Sequence, residues 1–174
     1  LAPAGLQNLA GTNTSASTGA THDAIVADIK GMVQSMTASN LGRRPVWIMH
    51  PSNLIALNMT LTAVGTPAFP ETASNSLYGM PVVTSTTVPL DVVYLVDAAE
   101  MAIAFSGPQF LGTDVASVHM EDTTPLPIVD GSGTAAAPVR SLYQTNSLGL
   151  RMTLETDWSM TRGGAVVTLT SVDW

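Results

Sequence analysis

His119-Met120-Glu121 sets an imidazole and a carboxylate two residues apart, and Asp122 follows directly. Side chains at that spacing share one face of a strand, so His119 and Glu121 are candidate metal ligands with Asp122 as a further oxygen donor. Together they would suit a small metal-dependent hydrolase. A further ligand at matching spacing is missing, because His22 and His50 lie far away in sequence. An exposed polar strand face explains the same residues more simply. His22-Asp23 pairs a base with a carboxylate that could orient it, but that chemistry also needs a nucleophile. No Gly-x-Ser-x-Gly elbow is present, and Gly131-Ser132-Gly133 lies in a loop-like stretch. Asp23 is better explained as an acid in the first turn of a helix. In His50-Pro51-Ser52 the simplest roles are helix initiation by Pro51 or Ser52, with His50 packing or meeting a backbone carbonyl. Asp97 follows a buried strand, and its carboxylate is expected to bind backbone N–H groups of the turn. No phosphate-binding glycine pattern occurs, and Asn13-Thr14-Ser15 and Asn58-Met59-Thr60 are short glycosylation triplets that match often by chance. No catalytic, cofactor-binding or metal residue is therefore assigned, no cofactor is expected, and the chain reads as a non-enzyme.

The elements around these residues are clearer than the chemistry. Residues 5–12 read as a short glycine-bounded loop, and 13–20 as a flexible or surface Ser/Thr/Gly/Ala segment. Thr21 is a natural N-cap, and Ile25, Ile29, Met32, Val33 and Met36 recur at helical spacing. Asn40-Leu41-Gly42 should end that helix, with Arg43 and Arg44 placed to favour its negative end. Val46-Trp47-Ile48-Met49 reads as a buried strand, followed by a second helix from Pro51 or Ser52 through Leu61. Residues 64–75 read as a loop. Strands are expected from Leu77 to near Val88, over 92–96 and over 101–105, and an amphipathic one around Val118 and Met120. Residues 123–138 read as a long Pro/Gly loop. From Leu148 to Trp158 apolar and polar residues alternate, and 165–170 read as a strand returning beside them. One face of that pair is apolar and must be covered by something. The fold class is α+β, with a mixed, mostly antiparallel sheet and two main helices in the first third.

Composition narrows the function classes. Of 174 residues, 45% are apolar and only 11% charged, against roughly 25% charged in an average soluble domain. That suits a subunit whose faces are covered by neighbours, although an acidic secreted or thermostable domain would share it. A net charge of −7 argues against direct nucleic-acid binding. With no Cys there is no disulfide framework, thiolate nucleophile or zinc knuckle. No run is long enough to span a bilayer, and no signal peptide is visible. The chain opens Leu1-Ala2-Pro3-Ala4 without Met, so it is expected to be a piece of a longer or processed protein.

Several segments, in order, resemble one family: Gly5-Leu6-Gln7-Asn8-Leu9-Ala10-Gly11-Thr12 before a helix, then Trp47-Ile48-Met49-His50-Pro51-Ser52. Gly79-Met80-Pro81-Val82-Val83-Thr84-Ser85 and Leu95-Val96-Asp97 follow, and then Gln144-Thr145-Asn146 through Leu150-Arg151 to Ala165-Val166-Val167-Thr168-Leu169-Thr170. This order is similar to the C-terminal half of major capsid proteins of tailed bacteriophages of the Hong Kong 97 type, over nearly the whole chain. The resemblance implies a structural subunit that packs as a curved plate into pentamers and hexamers of an icosahedral shell. Residues 1–146 then resemble the axial domain, and 147–174 a strand pair returning towards a peripheral domain. No candidate for the N-terminal arm, extended loop or spine helix is seen. The single lysine, Lys30, falls on the axial helix, so the covalent crosslinking of some members is not carried over. The implied partners are copies of itself, with a scaffold or maturation protease as additions, and no nucleic acid or membrane. The implied location is the virion capsid, after synthesis in the bacterial cytoplasm. A bacterial nanocompartment shell, the hydrolase built on His119, Glu121 and Asp122, and a phage tail or adhesin module are the competing readings.

Overall fold

The computed structural model describes residues 5–9, 13–119, 131–132 and 139–174. In chain order the elements are α1 (Leu6–Leu9), β1 (Thr14–Ala16), α2 (His22–Ala38), β2 (Pro45–Met49), α3 (Pro51–Met59), β3 (Ser76–Leu77), β4 (Met80–Thr84), β5 (Val93–Asp97), β6 (Met101–Phe105), β7 (Gln109–Thr113), β8 (Ser117–His119), β9 (Val139–Ser141), β10 (Gly149–Thr153), β11 (Thr156–Met160) and β12 (Val166–Thr170). They form two compact units, one of Leu1–Ile103 with Asp157–Trp174 and one of Ala104–Thr156.

The first unit is built on a six-stranded sheet in the order β1-β12-β5-β2-β4-β3. Three of its five pairings are antiparallel: β12 with β5, β5 with β2 and β4 with β3. β1 runs parallel to β12 and β2 parallel to β4. A parallel pair needs a crossover, and α3 supplies it between β2 and β4. β5 is the spine of the sheet, buried at all five positions, which is why its sequence Val93-Tyr94-Leu95-Val96-Asp97 shows no alternation.

α2 forms as its sequence dictates. Thr21 is the N-cap, with its hydroxyl accepting from the Ala24 N–H at 3.4 Å. Ile25, Ile29, Met32 and Met36 form its buried stripe against one face of the sheet, in a core shared with Trp47, Met49, Leu57, Phe69 and Leu95. The helix closes where Asn40 turns left-handed, at φ 54°, and the Leu41 N–H reaches back to Met36 O at 3.3 Å. The other sheet face is smaller: Val92, Tyr94, Val96 and Val166 pack against Leu6 and Leu9 of α1.

Several expectations are corrected. Residues 5–12 contain one helical turn, α1, because Leu6 and Leu9 share a face that the sheet covers. The 13–20 segment, expected to be flexible or on the surface, is at the surface and contributes the exposed edge strand β1, paired with Thr168–Thr170. Within the expected loop 64–75, Pro70–Ser74 is a 3-10 turn, and Phe69 is 1% exposed. The strand expected from Leu77 to Val88 is a hairpin: Tyr78 and Gly79 both have positive φ, 51° and 75°, as a tight two-residue turn requires. β4 ends at Thr84.

The largest correction concerns the C-terminus. The 148–158 and 165–170 strands do not pair with each other. β12 is claimed by β5 and β1 in the buried sheet, where four of its five residues are buried. β10 pairs with β7, a strand not anticipated from sequence, and β11 pairs with β6. The alternation is real but broken at Leu154-Glu155, where the Glu155 N–H donates to Ser106 Oγ at 3.2 Å.

In the second unit, β7 and β10 align Phe110 with Met152 and Gly112 with Leu150. β8 pairs with β9, setting Val118 opposite Arg140. Leu142 is buried here, and its N–H donates to Ala116 O at 2.9 Å.

Candidate functional site

Among the described residues, the side chains that could do chemistry do not converge. His22 Nδ1 and Asp23 Oδ1 lie 2.9 Å apart, but this is a local pair at the exposed start of α2. His50 is the N-cap of α3: its Nδ1 accepts from the Ser52 N–H at 3.1 Å, and Pro51 takes the first helical position. His119 is the last residue of β8, and Glu121 and Asp122 lie outside the described residues. Among the described residues no group of three His, Asp or Glu side chains could hold a metal ion. Nor is any described helix long and apolar enough to cross a membrane.

Asp97 is the most constrained polar group. It is fully buried at the end of β5. Its Oδ2 accepts from Gly42 N at 2.7 Å and Arg43 N at 2.9 Å, and its Oδ1 from Arg44 N at 2.9 Å and Ala99 N at 3.1 Å. Burial pushes the carboxyl pKa up, but the N–H donors of Gly42, Arg44, Arg43 and Ala99 together outweigh it, so the pKa lies below the ordinary carboxylate value. The local bond to Ala99 was legible from sequence. The other three, from a turn more than fifty residues away, were not. Asp97 therefore ties the α2–β2 turn to the sheet, with no acceptor capacity aimed at a substrate.

Two further carboxylates do similar work and gave little sequence signal. Asp28, on the buried side of α2, accepts from Ser17 Oγ at 2.8 Å, Thr18 Oγ1 at 2.8 Å and Thr18 N at 3.0 Å. An acid beside Ile29, downstream of a Ser/Thr tract, was the one available hint. Glu100 accepts from the Thr161 hydroxyl and lies 3.8 Å from Arg162 Nη1. Arg162 in turn donates to Ser39 O at 3.1 Å and Asn40 O at 3.4 Å, completing the C-terminus of α2. The expected helix-end cations, Arg43 and Arg44, instead contribute backbone N–H groups to Asp97.

Large apolar side chains are exposed in both units. The face of the β7–β10 ladder carrying Phe110, Leu150 and Met152 is 62%, 71% and 59% exposed at those residues. On the first unit, Ile55, Met59, Leu61 and Val64 are exposed along and beyond α3.

The model of the phage capsid family matches residues 2–124. The chain belongs to the phage capsid family. It is 30% identical over 165 residues to a capsid polyprotein of Pseudomonas phage PAJU2, covering 91% of this chain and 24% of that protein. A solved structure from Mycobacterium phage Adephagia has the same fold, with a TM-score of 0.68 at 11% identity, over 97% of this chain and 54% of the other. One from Mycobacterium phage Bobi gives 0.62 at 14% identity, over 95% and 53%. The chain thus spans about a quarter of the curated relative and about half of these solved chains. The capsid resemblance and the α+β class read from sequence agree with these findings.

Proposed function

We propose that this chain is a C-terminal part of a structural subunit of a phage capsid shell, acting through contacts with copies of itself rather than through catalysis. The family match over residues 2–124 carries the reading. The physical features support it: polar side chains are spent on tying turns to the sheet, and the exposed apolar faces require cover in the working state. In this reading the sheet unit belongs to the axial domain at the capsomer centre. The exposed β7–β10 face is covered by the rest of the polypeptide or by neighbours. The location is then the virion capsid, after synthesis in the host cytoplasm.

Electron microscopy of the complete coding sequence expressed in bacteria tests this. Closed icosahedral particles are expected, while the 174-residue chain alone should give none. A complete protein that stays monomeric at high concentration would overturn the proposal.

A further inference from the structure

A groove of about 550 Å³ runs between α2 and the β3–β4 hairpin. Its walls are apolar, from Val26, Val33, Tyr78 and Met80, with Lys30 and Gln34 as the polar groups. Lys30 is the only lysine of the chain and makes no ion pair among the described residues. An occupant suited to this groove presents one apolar side chain next to a carboxylate, since the ammonium otherwise loses hydration without compensation.

The same unit carries such a feature elsewhere. The Val92 N–H donates to Pro89 O at 3.3 Å, closing a turn with Leu90 and Asp91 at its two central positions. The turn is pinned from behind. Buried Asn53 donates through Nδ2 to Leu90 O at 2.9 Å, and the Val172 N–H donates to Asp91 O at 3.0 Å. Leu90 is nevertheless 59% exposed, and Asp91 is exposed without an ion-pair partner among the described residues. An apolar knob and an acid held rigidly outward lose little entropy on docking. Asp114-Val115 and Leu154-Glu155 have similar composition but lie in the other unit.

We infer that the Leu90–Asp91 turn of one copy seats in the Lys30 groove of a second copy, with Leu90 between Val26, Val33 and Met80 and Asp91 facing Lys30. The groove lies beside the start of β4 and the turn beyond its end. The five residues of β4 alone span roughly 16 Å, which keeps a copy from filling its own groove. The contact joins two different patches, so it is heterologous and propagates into a ring or an open chain. The choice of a second copy as occupant rests on the shell-subunit reading.

Charge reversal tests the contact, because both side chains are exposed and their exchange leaves the core untouched. Self-association of the 174-residue chain is measured by sedimentation equilibrium, with circular dichroism confirming the fold of each variant. Lys30→Asp and Asp91→Lys are each expected to weaken association by at least about tenfold. An equimolar mixture of the two, and the double variant, should recover it. A wild-type chain that stays monomeric, single variants that associate like wild type, or a mixture that fails to recover would each overturn the contact. The same single variants in the complete protein separate the two ideas. Particles that form unaltered refute this contact and leave the shell reading standing, whereas a wild type without particles refutes the shell reading.

Discussion

Replacing Asp97 by Asn removes a negative charge and turns one of two accepting oxygens into a donor, with almost no change in volume. The four N–H groups of Gly42, Arg43, Arg44 and Ala99 now converge on that carboxylate. Whichever way the amide turns, two of them lose their acceptor and face an NH₂ group. The other two become neutral hydrogen bonds. Charge-assisted bonds contribute about 1.5–3 kcal/mol each and neutral ones about 1 kcal/mol. Two lost and two weakened bonds, with partial rescue by relaxation, give a destabilisation of about 3–5 kcal/mol at pH 7. Urea unfolding followed by tryptophan fluorescence measures it, since Trp47 lies fully buried opposite Leu95 in the same sheet. The pH dependence adds a second check. Because the folded pKa is depressed, the carboxylate stabilises above the unfolded value near 3.9, and that contribution is lost as pH falls through the folded value. The gap between wild type and Asp97→Asn should therefore be widest at neutral pH and narrow below about pH 4. A variant within about 1 kcal/mol of wild type at pH 7 would refute the account of Asp97 as the tie between β5 and the α2–β2 turn.

Two other substitutions probe the packing. Gly164 has φ 87°, and a Cβ there would lie 3.0 Å from both Asn13 Nδ2 and Ser39 Oγ, so Gly164→Ala should cost about 1–3 kcal/mol in thermal unfolding. Gly79→Ala, at φ 75° with nothing within 4 Å, should cost less, and the reverse order would contradict the close approach at Gly164. Trp47→Ala should lose about 3–5 kcal/mol from a fully buried site, and half-buried Trp158→Ala under about 2 kcal/mol by urea midpoint. Equal losses at the two positions would mean that the β11 face is covered.

Local signals were readable wherever one segment supplies both partners of an interaction. Thr21, the Ile25-Ile29-Met32-Met36 stripe, Asn40 and Pro51 define α2 and the start of α3 through contacts within a few residues, so the chain order alone determined them. β5 was legible because a strand buried on both faces has no alternation to lose. The alternation over 148–158 likewise announced an apolar face, but not which strands would meet it. Strand partnership depends on contacts far apart in sequence, and only the folded chain brings Phe110 beside Met152, or Thr168 between Tyr94 and Thr14. The same limit hid the three donors that reach Asp97 from the α2–β2 turn and the acceptor roles of Asp28 and Glu100, whose donors come from other segments of the chain. Composition fixed the absence of cysteine chemistry and the low surface charge. Where the exposed apolar surface lies, and which rigid turn and lone lysine stand ready to meet, was decided by the tertiary structure, because exposure belongs to the packed chain and not to any residue type.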